Sequence, residues 1–97
     1  MSNSTIEILS DVLEFTPSSE LSFKISYEMK SALENTVINK VILNFVNSDY
    51  IDSTIIGTIL TIRKKGKSVI IKIKKDSYVE EVLIMYGLIH VLQIEYI

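Results

Sequence analysis

The aliphatic run Val41-Ile42-Leu43, with Phe45 and Val46 close behind, leaves the chain around it few options. Near-continuous Val/Ile/Leu character of this kind marks a strand covered on both faces, as in a parallel sheet. The sequence then turns polar at Asn47-Ser48-Asp49, and Asp52-Ser53-Thr54 opens a stretch with helical spacing. A buried strand therefore feeds a short loop that delivers hydroxyls to a helix start. Helix N-termini carry unpaired backbone N–H groups and partial positive charge, so such a place can present a hydroxyl or hold a phosphate.

Around this unit, strand and helix patterns alternate. Thr5–Thr16 reads as strand, but Ile6/Ile8 and Leu13/Phe15 sit in opposite parity. Ser10-Asp11 is the natural break, giving a short hairpin or a kinked strand. Pro17-Ser18-Ser19 ends it and offers a cap, after which Leu21, Ile25, Met29, Ala32 and Leu33 recur at helical spacing to about Glu34. Lys40–Asn47 is the next strand and Thr54–Lys65 the next helix, closed by Gly66. Within that helix Ile56, Ile59, Leu60 and Arg63 lie on one side, and Ile55, Thr58 and Ile62 on another. Ser68–Lys74 alternates Ile71/Ile73 with Lys72/Lys74, a strand with one wet face. Asp76 or Ser77 caps a third helix, with Val79, Val82, Leu83 and Tyr86 as its buried stripe and Gly87 as its stop. Val91–Ile97 forms a last strand. The expected fold is an α/β domain over residues 1–97, with 1–4 frayed. Its mixed, mostly parallel sheet has four to five strands, with helices packed against it.

Composition narrows the function classes. Ninety-seven residues suffice for one domain, and a hydrophobic fraction of 47% argues against disorder. There is no cysteine, which removes disulfides and thiolate metal sites. A net charge of −2 gives no general affinity for nucleic acid. Residues 1–52 nevertheless carry a balance of −5 and residues 53–97 one of +3. The basic run Arg63-Lys64-Lys65-Gly66-Lys67 suits a solvated helix C-terminus, with a phosphate-binding patch as the lesser reading. No apolar run approaches the about 20 residues that span a bilayer, and no secretory pattern opens the chain. The expectation is a cytoplasmic chain without membrane insertion.

Conventional catalysis has little to build on. His90 is the one histidine, and the three glycines form neither a phosphate loop nor a dinucleotide loop. No spacing suggests a metal site or a nucleophile–base pair, and no cofactor is expected. The five tyrosines form no aromatic–basic stripe; Tyr50 and Tyr86 read as core or rim residues. What stands out is Asp52-Ser53-Thr54, although Asp and Ser also cap helices with no further role.

The segment Asn44–Gly57, N-F-V-N-S-D-Y-I-D-S-T-I-I-G, resembles the signature loop of the STAS domain, the fold of anti-sigma factor antagonists. Asn44, Asp52, Ser53, Thr54, Ile56 and Gly57 match that pattern by position. Asp76–Leu88, with its Gly87-Leu88 step, matches a second block, and the resemblance covers residues 12–97. It implies a non-enzymatic regulator. In switchable members a partner serine kinase, which often doubles as the anti-sigma factor, phosphorylates the matching serine, so the resemblance implies Ser53 as the phosphorylation site, with Thr54 as the alternative. The resemblance also implies a phosphatase as a further partner. Asn44, Asp52 and Gly57 would support the site, and Ser18, Ser19, Asp49, Ile55, Thr58 and Ile62 would face the partner. Ile55 stands where the family often has glycine. An exposed Ile55/Ile62 stripe would favour the alternative, a non-phosphorylated adaptor docked in a signalling or membrane-transport complex.

Overall fold

The computed structural model describes residues 5–17, 27, 30, 31 and 37–97. Five strands form one sheet: β1 (Thr5–Leu9), β2 (Val12–Thr16), β3 (Lys40–Asn44), β4 (Ser68–Ile73) and β5 (Gln93–Tyr96), side by side in that order. β1 and β2 are antiparallel, and every later pair is parallel. Among the described residues two helices connect the parallel strands, α1 (Ser53–Lys64) after β3 and α2 (Tyr78–Met85) after β4. Tyr27, Lys30 and Ser31 also have helical backbone, within the helix expected up to Glu34; the rest of that helix lies outside the described residues.

The parity conflict in the first strand resolves into a hairpin. Leu9 pairs with Val12 across Ser10-Asp11, so Ile6 lies opposite Phe15 and Ile8 opposite Leu13. A two-residue turn reverses the chain and puts even positions of β1 on the same face as odd positions of β2. Ser10 takes a positive φ of 60° to make the turn. The Asp11 carbonyl then accepts Asn39 N–H at 2.9 Å, and the Asp11 carboxylate accepts the Asn39 amide at 3.0 Å. This pins the hairpin to the entrance of β3.

Alternate residues of the sheet point to one buried side. Leu13, Phe15, Val41, Leu43, Val69, Ile71 and Ile73 meet Ile55, Ile56, Ile59 and Ile62 of α1 and Val79, Val82 and Leu83 of α2 in one core. On the other side Glu14, Asn44 and Lys72 form a polar group: Asn44 donates to Glu14 at 3.2 Å, and Lys72 lies 3.8 Å from it. The expectation that β3 is covered on both faces is therefore half met. Val41 and Leu43 are fully buried, whereas Ile42 keeps partial exposure.

The helix boundaries follow local chemistry. α2 is capped by Ser77, whose hydroxyl accepts Glu80 N–H at 3.2 Å, while Glu80 reaches back to Asp76 N–H at 2.8 Å. This is a capping box shifted by one residue. Gly87, at φ 72°, ends α2 in the left-handed conformation that favours glycine. Tyr86 is half exposed and so falls outside the buried stripe expected of it, because the helix stops one residue earlier at Met85. His90 is exposed in the turns after α2, and the last strand begins at Gln93 rather than Val91.

Candidate functional site

The site is built at the carboxyl end of β3, where strands of an open parallel sheet deliver loops to helix starts. Asn44, the last residue of β3, turns its side-chain oxygen onto Val46 N–H at 3.0 Å and stabilises the exit from the strand. Ser48 is buried, with its hydroxyl 3.5 Å from the Pro17 carbonyl, and Ile51 enters the core. The loop is thus held at both of its ends before the chain reaches Asp52.

Asp52 is the N-cap of α1. Its Oδ1 accepts Thr54 N–H at 3.0 Å and Ile55 N–H at 3.3 Å, satisfying two of the donors a helix start leaves open. Ser53 follows as the first helical residue and is exposed, as is Thr54. The capping bonds fall to Asp52, so the Ser53 hydroxyl is spared that task. Asp49 is also exposed, and Tyr50 stacks on Tyr78 with ring centroids 6.0 Å apart and planes 14° from parallel. That contact ties the loop before α1 to the first residue of α2. Both rings are half exposed, so Tyr50 lies on the rim.

One expectation is corrected. Ile55 and Ile62 are 1% and 3% exposed and belong to the core rather than to a partner-facing stripe. At 3.6 residues per turn, residues 55, 56 and 62 all fall within about 60° of Ile59, which points straight at the sheet. Two apparent stripes are therefore one wide apolar face, and Leu60, grouped with it in the sequence, turns outward at 40% exposure. Of the expected partner-facing residues, Asp49 is exposed and Thr58 half-buried. Ser18 and Ser19 lie outside the described residues. Gly57 is exposed, with open space above its Cα.

The STAS domain profile matches residues 3–94. The chain belongs to the STAS family. No curated protein matches the sequence. Among solved structures, the crystal structure of a candidate anti-sigma factor antagonist from Thermotoga maritima superposes with a TM-score of 0.74 at 23% identity, over 97% of this chain and 86% of that one. An NMR structure of the same protein gives 0.72 at 23% identity, over 94% and 78%. At that identity the likeness establishes a shared STAS fold. Among the described residues no cluster of His, Cys, Asp and Glu could hold a metal ion, and no helix is long and apolar enough to cross a membrane.

Sequence reasoning missed two features of this STAS domain. The Tyr50–Tyr78 stack joins residues far apart in sequence, and no local periodicity signals it. The second is a groove on the outer flank of α1, to which Lys65 and Lys67 of the basic run contribute. The run itself was visible; that part of it flanks a cavity was not.

Proposed function

We propose that this STAS domain is a non-enzymatic regulatory protein of the anti-sigma antagonist type, which binds a serine kinase/anti-sigma factor and is switched by phosphorylation of Ser53. The observation that carries this reading is the exposed Ser53 at the first position of α1, beside a neighbouring residue that already caps the helix. A phosphate there adds about −1.5 to −2 charges. The helix N-terminus accommodates that charge, so the fold need not rearrange. A partner surface fitted to neutral Ser53 and to Asp49 and Asp52 meets the added charge as repulsion and as a desolvation cost. Binding is then switched with little motion of the domain. Thr54 is the alternative acceptor.

Phosphosite mapping by mass spectrometry, after incubation with ATP and candidate partner kinases, tests the acceptor. Binding of the same partner by Ser53→Ala and Ser53→Asp tests the switch. Phosphate on Ser53, retained binding by Ser53→Ala and loss of at least tenfold by Ser53→Asp are expected. An unmodified Ser53 together with unchanged binding by Ser53→Asp would sink the reading. The fixed-adaptor alternative drew on an exposed Ile55/Ile62 stripe, and both side chains are in the core.

A further inference from the structure

The end of the domain opposite Ser53 combines positive charge with exposed apolar surface. Ser53 follows the carboxyl end of β3, whereas Lys40 opens that strand. Around Lys40 gather the Ser10-Asp11 turn, residues 37–39, the passage from α1 into β4 and the turns before β5. Over residues 9–11, 37–40, 63–68 and 88–92 the cations are Lys40, Arg63, Lys64, Lys65 and Lys67, and the one acid is Asp11. The whole chain carries −2, so this positive end is set against an acidic remainder.

Aliphatic side chains stand among these charges. Leu9 is 82% and Val37 86% exposed, more than any other large hydrophobic side chain among the described residues, and Val91 is half exposed. Single exposed aliphatics scattered over a surface are ordinary. Here the two most exposed sit together: each lies two residues from one member of the bonded Asp11–Asn39 pair. The loops are fixed before anything binds. Asn39 N–H donates to the Asp11 carbonyl and Ser68 N–H to the Asn39 carbonyl, both at 2.9 Å, and the Lys67 ammonium donates to the Ile38 carbonyl. Three loops are thus stitched into one surface, which can dock without the entropic cost of ordering a segment.

The partner must offer negative charge and an apolar layer beside it. An anionic bilayer surface supplies both, in its headgroups and in the acyl boundary beneath them. Nucleic acid would engage the cations but leave Leu9 and Val37 in water, and these loops contain no Phe, Tyr or Trp on which bases could stack.

We propose that this end of the domain docks on an anionic membrane surface, with Leu9 and Val37 entering the headgroup region and Lys40, Lys64, Lys65 and Lys67 among the lipid phosphates. Docking is peripheral, since no described helix is long and apolar enough to cross a bilayer. At 1.5 Å per residue α1 holds Ser53 about 17 Å from Lys64, clear of the lipid. The proposal does not depend on modification of Ser53.

The test is flotation of the full chain with vesicles of equimolar phosphatidylglycerol and phosphatidylcholine, against vesicles of phosphatidylcholine alone. Binding to the anionic vesicles is expected, at least tenfold tighter than to the neutral ones and weakened by added salt. Each cation at such a surface contributes about fivefold, so Lys64→Gln combined with Lys65→Gln should weaken binding at least tenfold. Leu9→Ser combined with Val37→Ser should weaken it at least fivefold, with a melting temperature close to that of the parent because both side chains are exposed. The chain has no tryptophan, so Val37→Trp reports its own burial. Its emission should shift to the blue on anionic vesicles, and that of Tyr78→Trp, at the Ser53 end, should not. The proposal is overturned by no flotation with anionic vesicles, by equal flotation with neutral ones, by unchanged binding in either double variant, or by a blue shift at Tyr78→Trp in place of Val37→Trp. It is overturned equally if a DNA duplex binds as tightly as the anionic vesicles, which would make this end a nucleic-acid surface.

Discussion

Asp52 and Ser53 are neighbours with opposite structural weight. Asp52 Oδ1 holds two backbone N–H groups of α1, whereas Ser53 is exposed and holds none of the capping bonds. Removing an N-cap side chain costs about 1 kcal/mol, and an exposed substitution away from such features stays within about 0.5 kcal/mol. Asp52→Ala should therefore lower the unfolding free energy by about 1 kcal/mol, and Ser53→Ala should leave it nearly unchanged, as read by urea denaturation. A larger loss in Ser53→Ala than in Asp52→Ala would mean that Ser53 is a structural cap.

At the scale of elements, a polar contact with a pH signature links α2 to β5. The Tyr96 hydroxyl donates to the Glu80 carboxylate, which also accepts Asp76 N–H at 2.8 Å. The Tyr96 bond, followed by the Asp76 bond, holds the Glu80 carboxyl below its usual range, and the same Tyr96–Glu80 bond raises the Tyr96 phenol above its own. The signs define the window. Glu80 is depressed, so its contribution is present above the ordinary carboxylate value and fades as pH falls through the lowered one. Tyr96 is raised, so its contribution is present below the ordinary phenol value and fades as pH rises through the raised one. Tyr96→Phe should flatten the fall in melting temperature at both the acid and the alkaline ends, with its largest effect between them. A variant whose pH profile runs parallel to that of the parent at both ends would show the contact to be inert. Both groups are solvent-exposed, so the effect on stability is small.

At the scale of the molecule, the sheet has unequal sides. Ile70 and Ile71 are consecutive in β4 and both are buried, but only Ile71 belongs to the core shared with α1 and α2. Truncating a core isoleucine to alanine costs about 2–5 kcal/mol, and the cost grows with the cavity left behind. Ile71→Ala should fall in the upper part of that range, because both strand neighbours and helices surround the void. Ile70→Ala should fall at or below its lower end, because its side chain lies outside that shared core. Equal losses in chemical denaturation would imply that the Ile70 side is packed as tightly as the core.

Much of this molecule was legible in the order of its residues. Strand β3, the capped start of α1, the Ser77 cap and the Gly87 stop all rest on local chemistry: apolar runs, oxygen-bearing caps and a residue that tolerates positive φ. The STAS signature around Ser53 is equally local, since a strand end and the helix it feeds are adjacent in sequence. What the tertiary structure decided depends on which faces meet. It turned the parity conflict of the first twelve strand residues into a hairpin with one apolar face, and it merged two stripes of α1 into one, taking Ile55 and Ile62 out of the candidate partner surface. It brought Tyr50 onto Tyr78 and set Lys30 and Lys67 beside a helix flank that neither belongs to. Periodicity gives the direction of a side chain about its own helix axis, but the direction of the core is fixed only when the helix has docked. For this chain the sequence determined where a hydroxyl is presented, and packing determined what surrounds it.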